Sequence, residues 1–262
     1  MREFNRIHFI LVICLTLLCG LFTKSSAHDI WIEADDFTPD SGKGISIKLA
    51  YDHRFPAIDI LEEKNLKEIY MLDPASKKIS IKKSSETEYK AIEPPKEKGA
   101  YLIAAAQNAR FWTKTIEGYK SDQSRKALEN VISCTYSLKF GKGIINLGTE
   151  DGKSLFHPVG HDLEIVPMAN PAKLHPGEIL PVQILLKGKP LASSFVYATY
   201  KGFSTEKDTY AFTTKTDSEG TAKIKILKRG IWLVATSYSE DYPDQGECDT
   251  SKYSATLTFE LK

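Results

Sequence analysis

Residues 216–236 read TDSEGTAKIKILKRGIWLVAT, and this stretch decides the fold class. Residues 216–220 are turn formers, and residues 222–226 then alternate alanine or isoleucine with lysine. An alternation with a period of two is typical of a strand with one buried face. Residues 230–236 are mostly apolar and form the next predicted strand. A turn followed by two short strands indicates β-structure.

The same pattern extends to both sides of this stretch. Five more strands are predicted, at residues 163–166, 179–186, 194–200, 210–214 and 253–261. Seven short strands within about 100 residues, separated by turns at regular spacing, predict an immunoglobulin-like β-sandwich.

Strands also dominate the first half of the chain. They are predicted at residues 30–32, 45–50, 69–72, 78–82, 101–105, 110–112 and 134–140. Residues 121–133 are the exception, because Leu128 and Ile132 recur there at helical spacing. We therefore predict an all-β protein of two β-sandwich, immunoglobulin-like domains, with one short helix inserted in the first. The turn-rich residues 168–178 indicate a boundary between domains at residues 28–166 and 167–262.

Residues 1–27 have the three parts of a secretory signal peptide. Arg2 and Arg6 precede an apolar run over residues 8–22, and Ser25-Ser26-Ala27 supplies the small residues of a cleavage site. The run is shorter than the roughly 20 residues that span a bilayer. We expect cleavage after Ala27, export, and no membrane span in the mature chain. An uncleaved anchor and a lipid on Cys19 are the alternatives.

The charge balance and the cysteines indicate the kind of partner and the compartment. The whole chain has a formal charge of +1, and removal of residues 1–27 takes away three basic side chains and one acidic one, which leaves −1. Such a balance argues against a protein that binds nucleic acid or an anionic membrane. Cys134 and Cys248 remain in the mature chain, and an even pair in an oxidising compartment is typical of a disulfide. They lie far apart in the sequence, and nothing local shows that they meet.

The most distinctive candidate ligand is His28, the predicted first residue of the mature chain. Its free α-amine and its imidazole would close one chelate ring on a single metal ion. Nitrogen ligands suit nickel, cobalt, copper and zinc rather than calcium or magnesium. His53 follows a predicted strand, where a loop can present its side chain as a further nitrogen ligand. The alternative interpretations are an exposed terminal residue and an ordinary surface histidine.

The other histidines of the mature chain offer weaker patterns. His157 and His161 are four residues apart, but Pro158 and Gly160 disfavour the helix that would align them. The sequence contains no nucleophile-elbow glycines, no zinc-protease histidine pair and no glycine-rich phosphate loop. We therefore predict that the protein is not an enzyme.

Several of these motifs together resemble a known family. His28-Asp29-Ile30-Trp31, His53-Arg54-Phe55-Pro56 and residues 163–167 are similar to segments of exported bacterial proteins of largely unknown function. Some members accompany nickel or cobalt uptake transporters of the energy-coupling-factor type as a periplasmic accessory component. The second half of the chain also resembles carboxypeptidase-regulatory-like and other immunoglobulin-like domains. In relatives a glycine usually precedes the histidine of the His-Arg-Phe-Pro motif, whereas this chain has Asp52 at that position. Asp52 would serve either as an extra oxygen ligand or as a group that orients the ring of His53.

The resemblance implies a periplasmic protein that binds nickel or cobalt, or that assists metal uptake, with a membrane metal transporter as partner. His28 and His53 would hold the ion, and copper or zinc could occupy the same nitrogen ligands. The alternative function is a cell-envelope interaction or carbohydrate-binding module without a metal. The sequence leaves the oligomeric state open.

Overall fold

The computed structural model describes residues 28–262, and the predicted signal peptide lies outside the described residues. Regular structure within residues 28–262 consists of strands and short 3-10 turns. The all-β prediction is therefore confirmed. No helix in this range has the length and apolar character needed to cross a bilayer.

The predicted strands are present, with three short ones that the sequence did not indicate, β5, β8 and β12. The strands are β1 (Asp29–Ala34), β2 (Ser46–Asp52), β3 (Leu66–Leu72), β4 (Lys78–Lys83), β5 (Tyr89–Ala91), β6 (Gly99–Gln107), β7 (Arg110–Thr115), β8 (Gly118–Ser121), β9 (Val131–Leu147), β10 (Leu163–Pro167), β11 (Ile179–Leu186), β12 (Lys189–Pro190), β13 (Phe195–Tyr200), β14 (Phe212–Lys215), β15 (Thr221–Lys225), β16 (Gly230–Asp241) and β17 (Thr250–Leu261). The 3-10 turns are Glu63–Asn65, Arg125–Ala127, Lys153–Phe156 and Pro171–Lys173.

These strands form two sheets. Among the described residues the larger sheet has 13 strands, in the order β1-β2-β5-β4-β3-β6-β9-β17-β16-β13-β14, and β7 and β8 extend from β9. The smaller sheet has the order β10-β11-β12, with β15 also on β11. Strand β9 pairs with β17 in parallel. This pair joins strands from the two halves of the chain in one sheet.

Strands β6 and β9 separate two apolar cores. Tyr101 and Ile103 on one face of β6 belong to a core that β1 and β2 cover. Ala100 and Leu102 on the other face belong to a core formed with the later strands. Burial of both faces explains why β6 is continuously apolar instead of alternating.

The later strands form the predicted sandwich. Strands β10, β11 and β15 pack against β13, β16 and β17 through one buried apolar cluster that includes Ile184, Ile224 and Trp232. Two packed sheets of short strands are the layout expected of an immunoglobulin-like sandwich. The division after residue 166 stays a prediction. Strand β10 (Leu163–Pro167) crosses this division and pairs with β11.

The helix predicted over residues 121–133 is wrong. This segment contains the end of β8, the 3-10 turn Arg125–Ala127 and the start of β9. Val131 and Ser133 pair with β7 instead of continuing a helix. Ile132, which the helical pattern would bury, is 56% exposed. The sheet hydrogen bonds therefore override the local spacing.

Strand β1 lies across β9 and β17 and is held there by side chains. Three carbonyls of alternate residues accept hydrogen bonds: His28 from Lys139 Nζ, Ile30 from Thr256 Oγ1 at 2.6 Å, and Ile32 from Thr258 Oγ1 at 2.8 Å. Alternate carbonyls point to the same side of a strand. These bonds fix the position of the strand that begins directly after His28.

Gly143 of β9 allows this close approach. A Cβ atom at this position would lie 2.7 Å from Cγ2 of Ile32 and 2.8 Å from its Cβ. Both distances are shorter than carbon atoms tolerate in a packed interior. The predicted strand ends at residue 140, whereas β9 continues through Gly141, Lys142 and Gly143.

Cys134 and Cys248 form a disulfide, with their Cα atoms 4.9 Å apart. The expected pairing is therefore confirmed. Cys134 lies in β9, and Cys248 lies just before β17. The bond fastens the parallel pair of strands at one end.

Candidate metal centre

The pairing of β1 with β2 brings the two predicted ligands together. Asp29 pairs with Asp52, and Ile30 pairs with Tyr51, in an antiparallel ladder. His28 therefore precedes the first pair on one strand, and His53 follows it on the other. Their ring centroids are 4.2 Å apart, and the rings are tilted by 46°.

Tyr51 and Lys139 fix the position of His28. The Tyr51 ring stacks on the His28 ring, with centroids 4.7 Å apart and planes 10° apart. Lys139 is buried, donates to the His28 carbonyl, and lies 4.8 Å from the centroid of the Tyr51 ring. Neither residue carries a sequence signal for this role, because both lie on strands at positions that look like ordinary sheet positions.

The electrostatic environment of the site favours the neutral form of the His28 imidazole. Burial lowers the pKa of His28, and the electrostatic influence of the neighbouring His53 and Lys139 lowers it further. Burial also lowers the pKa of Lys139 to about 8. A histidine binds a metal through its neutral imidazole, so a lowered pKa reduces competition from protons.

Asp208 contacts His53 from the loop between β13 and β14. Its Oδ1 lies 3.4 Å from Nδ1 of His53, and its backbone N–H donates to the His53 carbonyl at 2.9 Å. The His53 side chain is 10% exposed. A carboxylate beside one ring nitrogen orients an imidazole and leaves the other nitrogen for a metal. No sequence signal marked Asp208, since it is distant from His53 in the chain and lies in no motif.

Asp52 builds the loop that presents His53. Its Oδ1 accepts from the backbone N–H of His53 at 2.6 Å and of Arg54 at 3.3 Å, and its Oδ2 accepts from Ile58 at 2.8 Å. Burial favours the neutral acid, but the backbone N–H groups outweigh it and lower the pKa of Asp52. The carboxylate thus fixes the backbone of His53, a role that the sequence interpretation did not foresee.

The side chains alone do not complete a metal site. Within residues 28–262 no group of three or more histidine, cysteine, aspartate or glutamate side chains is arranged to hold a metal ion. Two imidazoles supply two nitrogens. The third would be the α-amine of His28, which exists only after cleavage behind Ala27, outside the described residues.

A small cavity adjoins His53. It has a volume of about 20 Å³ and is lined by polar groups that include Asp29, Asp208 and Tyr210. A cavity of this size has room for about one water molecule. The site can therefore accommodate a small additional ligand beside the imidazole.

The remaining histidines lie in other environments. His157 is exposed, with Nδ1 2.7 Å from the Lys153 carbonyl. His161 is buried against Phe140. His175 is exposed, with Nδ1 3.5 Å from a carboxylate oxygen of Glu178. The structure therefore brings together His28 and His53, the two residues predicted as ligands.

A model of a protein family matches residues 25–240, and it is described as a domain of unknown function, DUF4198. No curated protein matches the chain.

Solved structures with some similarity include domains of intimin and an adhesin. The D00–D0 domain of intimin is 14% identical over 88% of this chain and 98% of that chain, with a TM-score of 0.21. The D0–D1 domain of intimin is 11% identical over 87% and 97%, with a TM-score of 0.23. The Yersinia pseudotuberculosis adhesin InvE is 10% identical over 88% and 58%, with a TM-score of 0.20. TM-scores this low do not establish a shared fold.

Proposed function

This chain belongs to the DUF4198 family of unknown function, and we propose that its mature form is an exported protein that binds one transition-metal ion. The ligands are the α-amine and imidazole of His28 and the imidazole of His53. The main support is the 4.2 Å separation of the two rings. An α-amine has an ordinary pKa near 7.7–8.0, so it is readily deprotonated in favour of a metal.

The surroundings support a site that is ordered before the metal arrives. Tyr51 and Lys139 hold His28, and Asp208 and the Asp52-built loop hold His53. Ligands that are already oriented lose little entropy on binding. Outer partners of this kind commonly contribute about 10–100-fold to metal affinity.

Three nitrogen ligands define the class of metal. Among divalent ions, affinity for such a site rises from cobalt through nickel to copper, and zinc binds less tightly than copper. The resemblance to accessory components of uptake transporters favours nickel or cobalt as the physiological ion. Availability in the periplasm then decides which ion occupies the site. The proposed role is delivery to, or assistance of, a membrane metal transporter, without catalysis.

Isothermal titration with nickel, cobalt, copper and zinc tests this proposal. The titrated protein is the mature chain that begins with His28, compared with His28→Ala, with His53→Ala, and with a chain extended by Gly-Ser-Gly before His28. We expect one ion per chain, and we expect each change to weaken binding by more than about 100-fold, because each removes a direct ligand, whereas loss of an outer partner has the smaller effect. His175→Ala is the matched control, since it removes an exposed histidine elsewhere.

The extended chain is the decisive variant, because it keeps both imidazoles and removes only the amine from His28. Equal affinity of the extended and mature chains would contradict the proposed ligand set. Absence of binding to the mature chain would contradict the function as a whole and favour the envelope-interaction module.

A further inference from the structure

A second cleft lies between the loop at residues 157–162 and the turn between β11 and β12. It has a volume of about 560 Å³, and its lining includes His161, Asp162, Glu164 and Lys187. It shares no lining residue with the cavity beside His53. Sites for small molecules commonly have volumes of about 300–1,000 Å³. Its size therefore suits a small organic ligand.

His161 is the unusual group in this cleft. Its side chain stacks on Phe140, with ring centroids 4.8 Å apart, and the residue is only 6% exposed. Neither ring nitrogen has a hydrogen-bond partner among the described residues. Buried polar atoms are nearly always hydrogen-bonded, because an unpaired one is unfavourable by about 1–3 kcal/mol. The ring therefore lacks partners that a ligand can supply.

Burial lowers the pKa of His161 to about 4. The ring is then neutral near pH 7, with one nitrogen that donates and one that accepts. A hydroxyl group is also both donor and acceptor, so it complements either nitrogen.

Three charged side chains near His161, those of Lys142, Glu164 and Lys187, are already paired. Lys142 and Glu164 form an ion pair at 2.8 Å, with side chains 2% and 1% exposed. Glu164 also accepts from the backbone N–H groups of Val159 at 2.7 Å and Gly160 at 3.1 Å. Lys187 contacts Glu240 at 2.6 Å. An anionic ligand would have to break one of these pairs to reach an ammonium group, so an uncharged ligand fits better than an anion.

We propose that this cleft binds a small uncharged molecule rich in hydroxyl groups, of the size of a mono- or disaccharide, with one hydroxyl bonded to His161. The exposed residues Pro158 and Gly160 form its rim. The ring nitrogens of His161 are buried, so binding has to open the wall of the cleft beside them. This site is independent of the metal centre.

Saturation-transfer NMR with glucose, maltose and diacetylchitobiose tests the proposal on the mature protein. The key variant is His161→Phe, which keeps an aromatic ring against Phe140 and removes both nitrogens. The matched control is His157→Phe, which changes an exposed histidine in the same loop. We expect at least one sugar to bind the wild-type protein and the control, and affinity to fall at least tenfold in His161→Phe.

A second measurement does not depend on the folding of a variant. Titration of the bound sugar into ¹⁵N-labelled wild-type protein should shift the ring-nitrogen resonances of His161. Absence of binding by all three sugars, equal binding by His161→Phe, or unchanged His161 resonances would overturn the proposal. Glucuronate serves as the charged comparison. If glucuronate binds more tightly than the neutral sugars, the proposal of an uncharged ligand is contradicted.

Discussion

His161 has an environment that makes its protonation unfavourable in the folded chain. Phe140 covers one face of the ring, and the nearby ammonium of Lys142 opposes a positive charge, while Glu164 favours it. Burial is the largest of these effects and lowers the pKa to about 4 from an ordinary value of 6.5. In the unfolded chain the ring regains its ordinary value, so folding and protonation of this residue compete.

This competition predicts a dependence of stability on pH. Between about pH 6.5 and pH 4 the unfolded chain binds a proton that the folded chain does not, so the free energy of unfolding falls as the pH is lowered. His161 alone should account for up to about 3 kcal/mol of that loss. Urea unfolding of wild-type and His161→Phe protein at about pH 7 and about pH 4.5 measures this loss of unfolding free energy.

The difference between the two proteins isolates His161 from the other titrating groups. The variant should lose less stability than the wild-type protein on acidification, and His175→Phe should behave as the wild type because His175 is exposed. Parallel losses in wild type and His161→Phe would show that His161 titrates normally.

Strand β1 depends on the strands beneath it for its position. Its alternate carbonyls bind Lys139, Thr256 and Thr258, and its Ile32 occupies the space that Gly143 leaves open. The same contacts determine where His28 lies. The packing of one element therefore supports the geometry of the proposed metal centre.

Replacement of Gly143 by alanine tests this packing. We expect Gly143→Ala to lower the free energy of unfolding by about 1–3 kcal/mol, because the new methyl group overlaps Ile32. Gly44→Ala is the control, since a Cβ there meets nothing within 4 Å, and it should change stability by less than about 1 kcal/mol. Chemical unfolding of both variants, of Ile32→Ala alone, and of Gly143→Ala combined with Ile32→Ala provides the measurement.

The double variant distinguishes a local overlap from other effects. If Ile32→Ala in the Gly143→Ala background is less destabilising than Ile32→Ala alone, the two groups compete for the same space. Additive losses would indicate that β1 does not pack on Gly143.

At the level of the whole molecule, the two cores are joined along β6 and β9, and β9 is joined to β17. The disulfide connects residues that are 114 positions apart, Cys134 and Cys248. A bond that closes a loop of this length restricts the unfolded chain strongly. It therefore stabilises both halves of the larger sheet together.

We expect removal of the disulfide to destabilise the folded protein. We expect Cys134→Ser with Cys248→Ser to lower the free energy of unfolding by about 4–5 kcal/mol, as a loop of about 100 residues predicts. Urea unfolding with and without a reductant measures the effect. The reductant should lower the urea midpoint of the wild-type protein and leave that of the double variant unchanged. An unchanged urea midpoint of the wild-type protein in the presence of reductant would contradict this expectation.

Local patterns in the sequence determined the all-β class, most strand positions and the two candidate histidines. Alternation of apolar and polar residues and the presence of turn formers depend only on a few neighbouring residues. The strand at Ile224 and the turn at Gly220 could therefore be predicted from the residues next to them. The same locality explains the wrong helix, because Leu128 and Ile132 have helical spacing, while long-range pairing with β7 keeps the segment following Asn130 in a strand.

The tertiary structure alone decided how the site is assembled. The register of β1 on β2 places His28 near His53, and the long connection between these strands does not specify that register by itself. Lys139 reaches the site from β9 and Asp208 from the loop between β13 and β14, while Gly143 lets β1 pack closely on β9. Such contacts depend on which strands become neighbours in the sheets, and the free energy that selects those neighbours comes from burial of both cores and is not present in any local stretch of sequence.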